Sequence, residues 1–343
     1  MKRMLVFILL LFVCHTMVAQ ERRFRLVEWN VENLFDTLHD AGFADRDFLP
    51  EGSYGWNTPR YLTKASALSR TIAALSGTTA VDLVALCEVE NDSVLVQLTQ
   101  RSLLAPLGYA YVMTHSLDRR GVDVALMYQP MAFRPYAVAS LRVPHDSVTE
   151  RPTRDILFVS GETISGDTLH VFVCHFPSRL GGRRVSEPYR LRAAGVIRQC
   201  VDSLFAVQRE AKIIVTGDFN DEPRNASIAT VLAASVPPAR LSDVDVARLY
   251  VLSARLKAHD GVAGTYKYRG EWNRLDNILV SGALLTSTEG LRTSEAQCAI
   301  AALPHLLERD ESRGGVKPRR AFLGTYYHGG VSDHLPLWLD MYY

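Results

Sequence analysis

Short apolar runs rich in β-branched residues recur along the whole chain, and turn-forming residues or helical patterns separate them. Their spacing predicts strands at 24–31, 81–87, 109–114, 122–128, 156–159, 168–174, 212–216, 275–280 and 335–341. Apolar residues at helical spacing predict helices over 60–75, 92–104 and 187–207. Strands that alternate with helices in this way indicate an α/β protein with helices packed outside its sheets.

The chain has the size and composition of one globular domain. Its 343 residues are 48% hydrophobic and 22% charged, which is enough to bury one large core or two modest ones. No internal repeat and no linker rich in proline or serine divides it, so we predict a single domain over 22–343. The stretches 36–59 and 308–330 are predicted long loops, and such loops usually form functional rims or lids.

The first residues have the pattern of a secretory signal. Lys2 and Arg3 precede an apolar run, 4–14, that is too short to span a bilayer. We therefore predict a signal peptide over 1–19, cleaved near Ala19, and a periplasmic or extracellular protein without stable membrane insertion. Lipid anchoring at Cys14 is disfavoured, because the bulky Val13 stands where a small residue is preferred.

Charge and cysteine content restrict the partners and the compartment only weakly. The formal charge of +1 gives no whole-molecule attraction to nucleic acid. The basic cluster at 317–320 is interpreted as solvated loop charge, whereas Arg183 and Arg184 are as well suited to contact phosphate. A disulfide is permitted in an exported protein but not required by the scattered cysteines Cys87, Cys174, Cys200 and Cys298.

Polar side chains able to bind a cation, a phosphate or a proton stand at the ends of several predicted strands. The hexapeptide TGDFND, 216–221, places Asp218 and Asn220 in a compact oxygen-rich cluster directly after an apolar run. Each such residue alone has an ordinary explanation as a cap, a turn residue or a core histidine. Their joint occurrence instead indicates a site formed by Asn30, Glu88, Asp123, His175, Arg179, Asp218, Asn220, Asp276, Asp333 and His334.

Seven motifs in a fixed order carry a resemblance to a known family. They are WNVENLFD, LCEVEN, RRGVDVALMY, CHFPSR, TGDFND, RLDNILVS and SDHLPL, and the resemblance that they carry extends from about 24 to 339. In this order they resemble the endonuclease/exonuclease/phosphatase superfamily, which includes deoxyribonucleases, abasic-site endonucleases, neutral sphingomyelinases and inositol-polyphosphate phosphatases. The resemblance implies a four-layer α/β sandwich, with two mixed sheets face to face, helices outside and the active site at one edge.

The resemblance also implies a metal site. Glu88 would be the principal ligand, with Asn30 and Asp333 nearby. Carboxylate and amide oxygens suit Mg²⁺, which keeps several waters and needs only one or two carboxylates. We therefore expect Mg²⁺, with Mn²⁺ as the alternative, rather than zinc, for which imidazole is a common ligand.

Phosphate binding and nucleophile activation are implied for other positions. Asp218 and Asn220 would position or activate the nucleophile, and Asn220, His175 and Arg179 would hold the scissile phosphate. A guanidinium can bind phosphate oxygens through two parallel hydrogen bonds, which supports Arg179 in this role. Aromatic residues of GTYKYRGEW, 264–272, could stack on a base or line a headgroup pocket, or could simply pack in the core.

Two carboxylate–histidine pairs are implied by the deoxyribonuclease branch of the family. Asp276 would pair with His334, and Asp123 with His175. A histidine held by a carboxylate through one ring nitrogen has a fixed tautomer and a stabilised imidazolium, so its other nitrogen can act as acid, base or phosphate donor.

These observations predict an exported Mg²⁺-dependent phosphodiesterase and favour an endonuclease acting on nucleic acid. One alternative is a hydrolase of phospholipid headgroups or of phosphorylated small molecules on the same fold. Another is a catalytically inactive binding module, against which stands the completeness of the site residues. The sequence implies no protein partner.

Overall fold

The computed structural model describes residues 21–146 and 150–343. The predicted signal peptide, 1–19, lies outside the described residues. The strands are β1 (Arg23–Leu34), β2 (Leu83–Val89), β3 (Ala110–Met113), β4 (Asp123–Tyr128), β5 (Phe133–Leu141), β6 (Ile156–Thr163), β7 (Thr168–His175), β8 (Lys212–Asp218), β9 (Leu249–Val251), β10 (Tyr266–Tyr268), β11 (Glu271–Asn273), β12 (Asp276–Ser281), β13 (Cys298–Ile300), β14 (Leu307–Arg309), β15 (Val316–Pro318), β16 (Phe322–Leu323), β17 (Tyr326–Tyr327) and β18 (Leu337–Tyr342).

The described α-helices are α1 (Thr58–Ala74), α2 (Asp92–Gln100), α3 (Arg183–Val207) and α4 (Gly282–Thr286). Shorter 3₁₀ turns lie at Arg46–Phe48, Ala105–Leu107, Leu241–Asp243, Leu252–Arg255, Glu295–Gln297 and Pro304–Leu306, and a π-type turn at Ser227–Val231. Among the described residues, no helix combines the length and apolar character needed to cross a membrane.

Two mixed sheets of six strands form the body of the protein. Their strand orders are β13-β18-β1-β2-β4-β3 and β5-β6-β7-β8-β12-β9. At the centre of each sheet one pair is parallel, β1 with β2 and β7 with β8, while the other neighbours are antiparallel. Read from β13 and from β9, the two sheets therefore have the same sequence of strand directions.

The sheets pack face to face and bury an apolar layer between them, which includes Leu26, Leu126, Val171 and Ile278. Helices α1 and α2 cover the outer face of the first sheet, and α3 covers that of the second. Because successive side chains of a strand point to opposite faces, each central strand must be apolar on both sides. The predicted four-layer sandwich is confirmed.

One edge of the sandwich gathers the ends of the central strands. The parallel pairs β1–β2 and β7–β8 finish there, whereas β12 and β18 run in the opposite direction and begin there. Hydrogen bonds cross between the two halves of the sandwich at this edge: Asn30 Nδ2 donates to Asp218 Oδ2 at 3.0 Å, His334 Nδ1 lies 2.7 Å from Asp276 Oδ2, and Cys87 Sγ donates to the carbonyl of Cys174 at 3.3 Å. The motifs of both sheets therefore meet at one place.

The two predicted long loops pack against each other beside this edge. Phe48 stacks between Phe35 and Tyr54, with ring centroids 4.3 and 4.5 Å apart, and Tyr54 lies 4.8 Å from Phe322 in an edge-on arrangement. Such aromatic pairs add stability beyond the area that they bury. The loops thus form one packed wall, not two independent lids.

The nine predicted strands all occur, but the sequence missed several short ones. The stretch 308–330, predicted as a loop, contains parts of two small antiparallel ladders, β14–β15 and β16–β17. Strand β5 was also missed, because it is an edge strand with an exposed side and mixed composition. Helix α3 begins four residues before its predicted start at 187, and α2 ends at Gln100 before a 3₁₀ turn.

Gly217 in TGDFND is required by the close approach of β7 and β8. Its φ is +137°, and a Cβ there would lie 1.9 Å from the carbonyl oxygen of Cys174. We expect Gly217→Ala to lower the free energy of unfolding by roughly 3 kcal/mol or more, since both backbones must shift. Urea denaturation measures this. Gly195→Ala, at an open position in α3, is the matched control and should stabilise by about 0.5–1 kcal/mol; equal effects would contradict the prediction.

Candidate active site

A cavity of about 360 Å³ opens at the edge where the strand ends meet. Eight of the predicted site residues line it: Asn30, Glu88, His175, Arg179, Asp218, Asn220, Asp333 and His334. Asp276 lies behind this wall and contacts it through His334. Asp123 does not line the cavity.

Four residues that line the cavity have left-handed backbone conformations. Glu88 has φ of 64° and Asn220 has φ of 48°, and Glu32 and Asn33 adopt similar values of 50° and 54°. The register of β1 with β2 shifts between Asn30 and Leu34, and that of β2 with β4 shifts between Cys87 and Val89, as in β-bulges. Non-glycine residues rarely adopt this conformation, and they cluster at functional sites where the surrounding structure enforces it.

Glu88 is an anion in a buried position. The backbone N–H of Asn33 donates to its Oε2 at 2.8 Å, and Arg120 Nη2 donates to its Oε1 at 3.2 Å. Burial would raise the pKa of this carboxyl, but positive charge, above all that of Arg120, outweighs burial and lowers the pKa to about 2. Glu88 therefore carries its charge at any physiological pH and can serve as a ligand for a cation.

Asp218 accepts hydrogen bonds on both carboxylate oxygens, and its pKa is much higher than that of Glu88. The backbone N–H of Asn220 donates to Oδ1 at 2.8 Å, and Asn30 Nδ2 donates to Oδ2. Burial and the neighbouring Asp276 raise the pKa of Asp218 to about 7, although His334 opposes the shift. A carboxyl with a pKa near neutrality is suited to accept and release a proton in catalysis.

Asp276 and His334 form a buried pair. Asp276 begins β12 of the second sheet, His334 lies just before β18 of the first, and His334 Nε2 is 3.9 Å from Asp218 Oδ2. Burial alone would lower the pKa of His334, but the carboxylates of Asp276 and Asp218 raise it well above its ordinary value. His334 is thus an imidazolium whose free N–H faces the cavity, with Tyr266 packed against the ring at 4.8 Å.

The predicted pairing of Asp123 with His175 is not formed. The Asp123 carboxylate instead accepts from the Thr114 hydroxyl at 2.6 Å and from the backbone N–H of Ser116 at 3.1 Å, so it fixes the turn before β4. His175 Nδ1 has no hydrogen-bond partner among the described residues, and Nε2 lies 3.6 Å from Asp218 Oδ2. Burial and the nearby Arg154 lower the pKa of His175 well below its ordinary value, so this imidazole is neutral.

The turn at the end of TGDFND is held in place by hydrogen bonds and an ion pair outside the cavity. Asp221 accepts from the Ser227 hydroxyl at 2.7 Å and lies 2.9 Å from Nε of the fully buried Arg190. Arg179 Nε donates to the carbonyl of Asn220 at 2.7 Å, so Arg179 also fixes this turn while it lines the cavity. Asp221 is consequently a structural residue and does not face the reaction.

Two arginines of the site were not predicted. Arg120 bonds to Glu88, and Arg320 Nη2 donates to Asp333 Oδ2 at 2.8 Å. Arg320 belongs to the cluster 317–320, which sequence analysis interpreted as solvated charge. No local pattern distinguishes these arginines from surface residues, because each reaches the cavity through the folding of a loop.

Two groups of residues could hold a metal ion. The predicted ligands Glu88, Asn30 and Asp333 line the same cavity, but Asn30 Oδ1 accepts from the backbone N–H of Glu32, and Asp333 is bonded to Arg320. Within the described residues, a second set brings one ligand atom from each of three side chains within 4.8 Å of one another: Asp218, Asp276 and His334.

The anionic Glu88 fits a cation better than this second set. An imidazolium has no free lone pair for a metal, and Asp276 already accepts from His334. Glu88, by contrast, is charged and has oxygen ligands beside it, which matches the few carboxylates that Mg²⁺ requires. The donor set around Glu88 therefore fits a hard divalent cation.

The His334–Asp276 pair gives a testable pH dependence. Because folding raises the pKa of His334, the pair stabilises the fold fully below the ordinary histidine pKa, and this stability is lost as the pH rises through the raised value. In Asp276→Asn the pKa of His334 should fall, as followed by NMR of the histidine rings in EDTA. His170, whose pKa is lowered by burial, is the internal control. An unchanged His334 titration would contradict this assignment of charge.

Comparison with known proteins agrees with the geometry. The family model described as "Endonuclease/Exonuclease/phosphatase family" matches residues 26–342. None of the curated protein sequences matches the chain.

Solved structures share the fold at low sequence identity. D. rerio TDP2 in complex with single strand DNA product is 17% identical at a TM-score of 0.55, covering 93% of this chain and 98% of that chain. An endonuclease/exonuclease/phosphatase family protein from Bacteroides thetaiotaomicron is 14% identical, with a TM-score of 0.56 and coverage of 94% and 99%. The human Nocturnin catalytic domain with bound sulfate anion is 18% identical, with a TM-score of 0.52 and coverage of 94% and 97%.

The predicted resemblance and enzyme class are thereby confirmed. Enzymes of this family hydrolyse phosphate ester bonds and depend on divalent metal ions, and the site described above contains the acidic and histidine side chains for such chemistry. With its family match over nearly all of its length, this chain belongs to the endonuclease/exonuclease/phosphatase family.

Proposed function

We propose that this protein is an exported Mg²⁺-dependent phosphodiesterase that cleaves nucleic acid internally. One observation carries the proposal: three groups with different protonation face a single cavity of about 360 Å³. They are the anionic Glu88, the Asp218 carboxyl with a pKa of about 7, and the imidazolium of His334. A cation site, a base and an acid are thus within reach of one phosphate. The proposal of export rests on the signal peptide predicted at 1–19 from the sequence.

A divalent cation would be held by Glu88, with Asn30 and Asp333 beside it. When bound, Mg²⁺ or Mn²⁺ polarises the phosphate and neutralises the charge that develops on it. Asp333 can join the ligand set through Oδ1, since Arg320 donates to Oδ2. Arg320 lines the same cavity, and its guanidinium is well shaped for phosphate oxygens.

The side chains of this protein account for the proton transfers. Water attacks the phosphorus and forms the new P–O bond, while Asp218 accepts its proton. The bond to the leaving oxygen breaks, and that oxygen takes a proton from His334 Nε2. Because Asp218 Oδ2 and His334 Nε2 are 3.9 Å apart, a small movement or one water returns the proton from Asp218 to His334, and the pair is reset.

Phosphate recognition is assigned to Arg179, Asn220 and the neutral His175, all of which line the cavity. His175 can donate a hydrogen bond without adding charge, and Arg179 supplies the charge. Tyr266 and Tyr268 also line the cavity, and Tyr268 is 55% exposed, so its ring is open to a base. Trp272, in contrast, packs partly buried against the core and donates to the carbonyl of Gly261.

The choice of nucleic acid as substrate is supported by this open aromatic wall and by the DNA product bound to D. rerio TDP2. An organic base stacks on tyrosine at a gain of about 1–3 kcal/mol. A phospholipid or small-molecule phosphoester is the competing substrate class, and turnover measurements separate it from nucleic acid.

Turnover of a substrate panel tests the proposal. Purified chain 22–343 should cleave plasmid DNA and single-stranded oligonucleotides with Mg²⁺ or Mn²⁺, and EDTA should abolish this activity. Glu88→Gln should remove metal dependence together with activity, and His334→Ala should lower kcat on the order of a hundredfold or more, because the acid and phosphate donor is lost.

The matched control is Asp123→Asn, which alters a buried carboxylate on the same edge that does not line the cavity. It should change stability more than kcat. Hydrolysis of sphingomyelin or of a small phosphate monoester without cleavage of nucleic acid would overturn the substrate assignment. Equal activity of wild type, Glu88→Gln and His334→Ala would overturn the assignment of the site.

A further inference from the structure

A second cavity, here called the basic cleft, adjoins the active site. It has a volume of about 400 Å³ and shares Arg120 and Ser178 with the catalytic cavity. The described residues of its walls come from the turn before β4, from 143–145 and 150–154 before β6, from 177–180 after β7, and from the first turns of α3. A substrate that extends past these two shared residues therefore reaches the basic cleft.

The charge of the basic cleft is strongly positive although the whole chain is nearly neutral. Five arginines line it, against two carboxylates, Asp118 and Glu150. Both carboxylates are already neutralised: Arg154 Nη1 donates to Asp118 at 3.0 Å, and Arg192 donates to both oxygens of Glu150 at 2.7 Å. The lining therefore retains uncompensated positive charge.

Arg119 and Arg151 supply much of that charge. Both are exposed, and neither forms an ion pair within the part of the chain that the structure describes. Beneath them, the buried Arg154 donates to the carbonyl of Phe176 at 2.8 Å, while its Nε has no partner among the described residues. Arg154 thus ties the floor of the basic cleft to the residue that follows His175.

An aromatic surface accompanies the charge. The guanidinium of Arg192 lies 5.1 Å from the ring centroid of Tyr189, and Tyr189 is 37% exposed at the wall of the basic cleft. Basic residues that follow a backbone, combined with aromatic rings, are the features by which proteins bind single strands without reading sequence. Apolar side chains such as the exposed Leu180 also line the basic cleft, but arginine is the most frequent residue type in the lining, which favours a polyanionic chain over a lipid surface.

We propose that the basic cleft binds the single-stranded nucleic acid segment next to the scissile phosphate, with Arg119 and Arg151 on its backbone phosphates and Tyr189 beside a base. This inference rests on the proposed function and specifies its substrate class. Arg120, bonded to Glu88 and common to both cavities, links the cleft to the catalytic site.

Fluorescence anisotropy with a labelled single-stranded DNA of about 12 nucleotides, in EDTA, measures binding apart from turnover. The double variant R119A/R151A should bind at least about tenfold more weakly than wild type at low salt, and its salt slope should be shallower by about 0.7 for each lost contact. R119K/R151K should retain most of the affinity, because a phosphate contact needs charge, not shape.

R209A/R309A is the matched control. It removes two exposed arginines that line neither cavity and should bind as wild type does. Bis-p-nitrophenyl phosphate is a small diester that needs only the catalytic cavity. Its hydrolysis with Mg²⁺ should be the same in wild type and in all three double variants. This assay also shows that R119A/R151A is folded.

The outcomes separate the two proposals. Equal DNA binding by wild type and R119A/R151A, or no DNA binding by wild type, overturns the proposal for the basic cleft. Turnover of the small diester in the same experiment still supports the phosphodiesterase proposal. DNA binding that depends on Arg119 and Arg151, without hydrolysis of any diester, upholds the cleft and overturns the enzymatic proposal. Wild-type binding to sphingomyelin vesicles in place of DNA overturns the choice of nucleic acid.

Discussion

Two hydrogen bonds between the two halves of the sandwich hold the catalytic edge together, and the site depends on both. Asn30 reaches across to Asp218, and His334 reaches across to Asp276. Asn30 belongs to the first sheet and His334 to the loop that leads into its strand β18, whereas Asp218 and Asp276 belong to the second sheet. The apolar layer between the sheets fixes their separation, and these bonds fix their alignment where chemistry takes place. A small shift of one sheet would separate the acid from its base.

The site works because similar groups are placed in different surroundings. Glu88 has cationic neighbours, which keep its pKa at about 2, whereas Asp218 lies beside Asp276 and has a pKa of about 7. His334 is charged and His175 is neutral, since one is held by a carboxylate and the other lies near Arg154. The pKa of the buried Glu28 is raised well above its ordinary value, mainly by burial and further by the negative charges of Asp276 and Asp218. This carboxyl is therefore neutral.

Much of the fold and the site was accessible from the sequence. β-branched runs predict the central strands because those strands are apolar on both faces, and polar residues at their ends predict the edge. Strand β5 and the ladders of 308–330 escaped because exposed edges and short hairpins leave no periodic signal. Arg120 and Arg320 escaped because tertiary folding alone brings them to the cavity, and Asp123 misled because a turn-capping carboxylate has the same sequence signature as a catalytic one.

The central claim is that Glu88 holds the metal ion while Asp218, Asp276 and His334 handle protons. Anomalous diffraction from crystals of the wild-type protein soaked in Mn²⁺ tests it most directly. The account predicts a manganese peak against the Glu88 carboxylate in the catalytic cavity, and loss of that peak in Glu88→Gln. A peak bound by Asp218, Asp276 and His334, or one that persists in Glu88→Gln, would contradict it.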